Sequence, residues 1–108
     1  MHNITIYLHS IQDKKCINGP YVYKTTIQVA VKNIAYDKKV TVHFYDSFDH
    51  KTPWKDTEAH YSYTLRNGYE IWTAAAIHYC PSIRFSLKYE VAGQPYWDNN
   101  NGEDYISK

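Results

Sequence analysis

The segment Tyr96-Trp97-Asp98-Asn99-Asn100-Asn101-Gly102 sets an indole beside a run of three primary amides. Each amide offers a donor and an acceptor, which matches the neighbouring hydroxyls of a sugar ring. The negative π face of an indole suits the partly positive C–H face of the same sugar. These residues also have a plain structural use, because Asn is a poor strand former that bonds its own local backbone in turns. Both readings stand on this segment alone. A second segment, Asn33-Ile34-Ala35-Tyr36-Asp37-Lys38-Lys39, puts Tyr36 at an expected loop tip, with Asn33 and Lys38 as polar neighbours. A plain loop is the alternative there too. Trp54, beside Pro53 in the polar loop of residues 48–56, is a third candidate, since an exposed indole is costly without a use. Trp72 lies in a strand-like run and is expected in the core.

Other chemistries find less support. The six histidines, His2, His9, His43, His50, His60 and His78, share no close ligand spacing with one another. His78 and Cys80 lie two apart, but Pro81 follows and no second pair matches them. The histidines are therefore expected as solvated strand or loop residues. There is no Gly-x-Ser-x-Gly elbow and no glycine-rich phosphate loop. Carboxylates are plentiful, but glycoside hydrolysis needs a deep site that excludes water, and a small sandwich offers little depth. The chain is expected not to be an enzyme, and to need no metal or cofactor.

The elements that must position these side chains follow a period of two. Ile4, Ile6 and Leu8 alternate with Thr5, Tyr7 and His9. The same holds for Ile27, Val29 and Val31; for Val40, Val42 and Phe44; and for Ile83, Phe85, Leu87, Tyr89 and Val91. Each run reads as a strand with one buried and one wetter face. Residues 69–77 and 94–97 read as two more, and weaker strands are expected over residues 56–63 and near Tyr105. Turn chemistry separates them at Asn18-Gly19-Pro20, Asn67-Gly68, Ala92-Gly93 and Asn101-Gly102, and Ala92-Gly93 is placed to close a hairpin. Only residues 73–77, around Ala74-Ala75-Ala76, have helical composition, and that stretch is too short to stand alone. Seven to eight short strands predict an all-β, antiparallel β-sandwich.

At 108 residues the chain has the size of one domain, residues 1–108, long enough to hide roughly 65% of its unfolded surface. A net charge of +1 with scattered Lys and Arg gives no basic stripe, so no nucleic-acid partner is expected. No apolar run reaches the length of a membrane span. Cys16 and Cys80 are either one disulfide or two separate, partly buried thiols; spacing does not decide. The opening Met1-His2-Asn3-Ile4-Thr5 lacks the pattern of a signal peptide, and Asn3-Ile4-Thr5 is a glycosylation acceptor pattern of the kind that arises by chance.

Two longer stretches carry a family resemblance. Val29-Ala30-Val31-Lys32-Asn33-Ile34-Ala35-Tyr36-Asp37-Lys38-Lys39-Val40-Thr41-Val42 resembles the opening motif of carbohydrate-binding module family 21. The run from Lys88-Tyr89-Glu90-Val91-Ala92-Gly93 through Asp104-Tyr105 resembles its closing motif. The resemblance spans roughly residues 25–106. It implies an immunoglobulin-like β-sandwich that binds α-1,4-glucan (starch, glycogen or malto-oligosaccharides) at two aromatic sites. One would be Trp54 with Trp97, supported by Asn99 and Asn101. The other would be Tyr36 with Tyr61, supported by Asn33 and Lys38. Asp104 falls where the family often has another Asn. The first site's third ring aligns with Ser86, which has none, and Phe85 points to the opposite face of its strand. The implied roles are a module attached to a glycoside hydrolase or, alternatively, a subunit that carries a phosphatase catalytic subunit to glycogen. A stand-alone lectin-like binder is a further alternative. The phosphatase-docking pattern, basic-x-Val/Ile-x-Phe/Trp, does not occur in the chain. A secreted protein is expected on the first role and a cytoplasmic, glycogen-associated one on the second.

Overall fold

The computed structural model describes residues 4–19 and 22–107. His2, Pro20 and the Asn3 acceptor position lie outside them. The elements are β1 (Ile6–Asn18), β2 (Val22–Val31), β3 (Lys38–Tyr45), β4 (Trp54–Thr64), β5 (Glu70–His78), β6 (Arg84–Val91), β7 (Gln94–Asp98) and β8 (Tyr105–Ile106). All pairings are antiparallel. The hydrogen-bonded order is β1-β2-β5-β4-β3-β6-β7, with β8 on β6. Strand β4 belongs to both layers of the sandwich. Residues 54–59 pair with β3, and residues 60–64 pair with β5 through an irregularity between Tyr61 and Tyr63. A strand that changes partners along its length turns a corner of a sandwich, and bulges permit that turn.

The core is the expected inward set except at the start of the chain, where Ile4 is exposed and Leu8 only half-buried. Val40, Val42 and Phe44 of β3 lie opposite Tyr89, Leu87 and Phe85 of β6, and all six are buried. Ile6, Ile27, Val29, Val31, Ala59, Ala74, Ala76, Cys80, Ile83 and Val91 complete the cluster. Burying side chains of this size contributes about 1.5–3 kcal/mol each. The alanine-rich stretch of residues 73–77 is strand, not helix. It lies within β5, as the strand reading of residues 69–77 expected, and pairs with β2 (Ile27↔Ala74, Thr25↔Ala76). Strand β1 runs much further than its apolar alternation reaches. Residues 13–18 are exposed and mostly polar, yet they stay extended by pairing with residues 22–26 of β2. Trp54 does not sit in a loop; it opens β4, opposite Tyr45. Trp72 is half-buried against one end of the core rather than enclosed within it. Cys16 is exposed and Cys80 buried, with no bridge between them, so of the two readings left open the structure has two separate thiols. Burial pushes the Cys80 thiol pKa up, and its Sγ donates to the Ser82 carbonyl at 3.0 Å.

Two buried polar side chains hold the loops that flank the outer face of β3. Asp46 is fully buried. Its carboxylate accepts from the Tyr79 N–H at 2.7 Å, and from the Cys80 and Phe48 N–H groups at 3.1 Å each. Burial alone would raise its pKa, but these bonds hold it below the ordinary value. The loop before Trp54 is thereby tied to the β5–β6 connection. The Asp46 N–H also donates to the Pro53 carbonyl at 2.7 Å and closes the loop on itself. His78, also enclosed, accepts the Thr25 hydroxyl at Nε2 (2.8 Å) and donates from Nδ1 to the Cys80 carbonyl (2.6 Å). That pair of bonds fits the neutral ring, protonated at Nδ1.

Burial lowers the His78 pKa below its ordinary 6.5, so folded His78 resists a proton that the unfolded chain accepts. The contribution of neutral His78 is complete above pH 6.5 and is lost as pH falls toward the lowered folded value. Denaturant melts should therefore show a falling midpoint from pH 7.5 to pH 5. His78→Gln should flatten that slope, and an equal fall in the variant would refute the assignment to His78.

Candidate carbohydrate-binding site

The outer face of β3 carries Thr41, His43 and Tyr45, the partners of the core set. Antiparallel register places neighbours beside each of them. Tyr45 stands between Trp54 and Arg84, His43 between Asp56 and Ser86, and Thr41 between Glu58 and Lys88. Lys88 in turn lies opposite Trp97 on β7. The two expected indoles therefore share one face. Trp54 is 42% exposed and Trp97 54% exposed.

They are joined by a residue that the sequence reading treated as a solvated strand histidine. The His43 ring stacks on Trp54 at 4.6 Å between centroids and 6° between planes. It meets Trp97 edge-on at 6.3 Å and 84°. The His43 Nδ1 lies 2.5 Å from the Asp56 carboxylate. Tyr45 adds a further ring, tilted against Trp54 at 5.0 Å, and the Arg84 guanidinium lies over both. Lys88 Nζ stands 5.2 Å over the Trp97 ring. The signal for His43 and Tyr45 was present in the alternation of β3, which puts both on its wetter face. What the alternation does not reveal is the register that brings Trp54 and Ser86 alongside.

The Asn run after β7 does much of its work locally. Asn100, Asn101, Gly102 and Asp104 all have left-handed backbones, with φ of 56°, 58°, 91° and 58°. Asn and Gly tolerate that conformation better than other residues. The Asn99 side-chain carbonyl accepts the Gly102 N–H at 2.9 Å, and the Asn100 amide donates to the Asp104 carbonyl at 3.2 Å. Asp98 accepts from the Asn100 N–H at 3.1 Å and from the Tyr105 hydroxyl at 2.6 Å. Burial beside that carboxylate pushes the Tyr105 pKa up. The turn therefore consumes Asn100 and one atom of Asn99. It leaves the Asn99 amide nitrogen and the exposed Asn101 side chain as the polar groups nearest Trp97 in sequence. Asp104 is half-buried.

The second group gathers at the far half of β4. Tyr36, Asp37, Lys38, Tyr61, Glu70 and Trp72 line one shallow depression of about 460 Å³. Tyr36 is 96% exposed at the tip of the β2–β3 loop. The base of that loop is fixed by the Tyr89 hydroxyl, which donates to the Lys32 carbonyl at 2.7 Å. Burial pushes the Tyr89 pKa up to about 12. Tyr61 lies opposite Trp72 and meets it edge-on at 6.1 Å. Lys38 is less free than expected. Its ammonium lies 3.4 Å from Glu70, with the side chain 6% exposed, and Glu70 also accepts the Trp72 indole N–H at 3.1 Å. Asn33 is exposed but does not line the depression. Trp72 and Glu70 are thus additions to this group that sequence reasoning assigned elsewhere or passed over.

Comparison with known proteins identifies the family and the fold. The family model for carbohydrate/starch-binding module (family 21) matches residues 2–108. Glucoamylase 1 of Rhizopus oryzae is 43% identical over 84 residues, 72% of this chain and 13% of that protein. Protein phosphatase 1 regulatory subunit 3C of Bos taurus is 28% identical over 106 residues, 90% of this chain and 33% of that protein. The chain thus spans a third or less of the curated relatives it matches. Among solved structures, the starch-binding domain of Rhizopus oryzae glucoamylase, held with β-cyclodextrin and maltoheptaose, superposes with a TM-score of 0.74 at 31% identity. That match covers 100% of this chain and 97% of the other. The carbohydrate-binding module of the muscle glycogen-targeting subunit of protein phosphatase 1 shares the fold, with a TM-score of 0.61 at 24% identity, over 94% of this chain and 73% of that one. The chain belongs to carbohydrate/starch-binding module family 21.

Proposed function

We propose that this chain is a non-catalytic module that binds α-1,4-glucan through two aromatic platforms, and that it holds an attached or associated enzyme on the polysaccharide. The observation that carries this reading is the pair of exposed indoles, Trp54 and Trp97, flanking His43 on one sheet face. Exposed indoles at such density are costly in water and suit a sugar's C–H face. In this reading Trp54 and Trp97 form the first site, with the Asn99 and Asn101 amides and Asp104 at its polar rim. Tyr36 and Tyr61 form the second, with Lys38 and Asn33 beside them. The Lys38–Glu70 pair then acts as a fixed polar wall rather than a free cation.

Magnitudes support two rings per site. One sugar stack removes on the order of 100 Å² of apolar surface, worth about 2.5 kcal/mol. Millimolar binding needs about 4.1 kcal/mol after the ligand is immobilised. One ring falls short, and two rings with amide hydrogen bonds reach it.

The Glucoamylase 1 relative favours a module that serves a glycoside hydrolase in a secreted protein. The regulatory-subunit relative supports the second reading, a cytoplasmic carrier of phosphatase to glycogen. A pull-down on insoluble starch, glycogen, cellulose and chitin in parallel tests the ligand class. Starch and glycogen should retain the chain, and stronger retention on cellulose or chitin would refute the α-glucan reading. Trp97→Ala should weaken retention in a starch affinity gel at least tenfold with an unchanged melting temperature. Retention equal to the parent would remove Trp97 from the site. Tyr36→Ala should reduce binding to soluble starch more than to maltotriose, because only the polymer can reach both sites. Equal losses on the two ligands would argue against two platforms.

A further inference from the structure

The two indoles are held at a fixed angle by a third ring, and that angle has a chemical meaning. His43 is parallel to Trp54 within 6° and stands 84° from Trp97. Trp54 and Trp97 are therefore roughly perpendicular plates, with the imidazole filling the corner between them. Ring pairs at these separations prefer such stacked and edge-on geometries. The imidazole cannot pivot freely, because Asp56, directly opposite on β4, holds its Nδ1 at 2.5 Å. On its other side Ser86 contributes only a hydroxymethyl group and is itself nearly buried. No ring from β6 takes that position, so the contact between the plates runs through His43.

We propose that His43, pinned by Asp56, is the positioning residue that sets the angle between Trp54 and Trp97 and so selects a curled glucan over a flat one. This inference rests on the first platform of the proposed function. An α-1,4-linked chain curls, so successive sugar faces turn relative to one another and meet two plates set at an angle. A β-1,4-linked chain is a flat ribbon whose faces need coplanar plates. A ligand too short to touch both indoles gains nothing from the angle.

Calorimetric titration of the intact chain with maltoheptaose, maltose and cellohexaose tests this, alongside thermal melts of each variant. His43→Ala should weaken maltoheptaose binding about tenfold and maltose binding less than threefold. It should narrow the preference for maltoheptaose over cellohexaose by a similar factor. His43→Phe keeps the ring without the Asp56 bond and should restore maltoheptaose binding to within about threefold. His43→Gln keeps a polar group that reaches Asp56 but has no ring, and should not restore it. Full maltoheptaose affinity in His43→Ala, with Trp97→Ala still defective, would overturn the role of His43 alone. Equal losses on maltose and maltoheptaose, or rescue by Gln and not Phe, would also overturn it. Full affinity in Trp97→Ala would overturn the first platform and this inference together.

Discussion

Everything on the outer face of β3 depends on what its inner face must bury. Val40, Val42 and Phe44 are locked against Phe85, Leu87 and Tyr89 of β6, all with almost no accessible surface. Because successive side chains point to opposite faces, that contact commits Thr41, His43 and Tyr45 to the other side. A slip of one residue would bury His43 and Tyr45 and expose the core set. The apolar burial that holds the sandwich together is thus also what puts the rings of the site on one face. The register then supplies their neighbours: Trp54 and Asp56 from β4, Arg84 and Lys88 from β6, and Trp97 one strand further.

Polar groups finish what the alternation begins. Asp46 gathers three backbone N–H groups from two loops and remains ionised although enclosed. The loop preceding Trp54 is further tightened by Asp49, whose carboxylate accepts from Thr52 and meets Lys55 at 2.7 Å. These bonds hold the Asp49 pKa down at about 2. The stretch that read as a polar loop therefore delivers Trp54 onto a strand in one position. After β7, the Asn run plays the same part with left-handed backbones and side-chain bonds to its own turn.

Much of this was legible in the sequence, and the failures have specific causes. The alternation of β2, β3 and β6 gave the core, because a strict period of two leaves no other assignment. The Ala92-Gly93 hairpin was readable from its turn chemistry, and both residues adopt the positive φ such a turn needs (52° and 74°). Residues 13–18 of β1 were not readable, because their strand state comes from pairing with β2 and not from burial. The alanines of residues 73–77 have helical composition, but the strand reading of residues 69–77 is the right one, because that stretch is too short to stand alone as a helix and pairs with β2 along its length. Trp97, Tyr36 and Trp54 were legible from their polar and turn-rich settings, and Tyr61 only through family resemblance. His43, Glu70 and Trp72 were not named as site residues, since their positions depend on cross-strand register, which no local pattern encodes.

Strand β4 gives the molecule a mechanical property. It carries Trp54 at its first residue and Tyr61 seven residues later, and it is hydrogen-bonded to β3 over one half and β5 over the other. At a rise of about 3.3 Å per residue, the strand separates those two positions by at most about 23 Å, less where it turns the corner. A flexible tether between two binding surfaces would let their spacing fluctuate and would dilute the second contact through its own entropy. In the proposed two-platform reading the tether is a paired strand, so β4 works as a ruler. A polymer that fits its graduation would then meet the second platform at no further cost in ordering the protein, while one of the wrong pitch could not be accommodated by bending it.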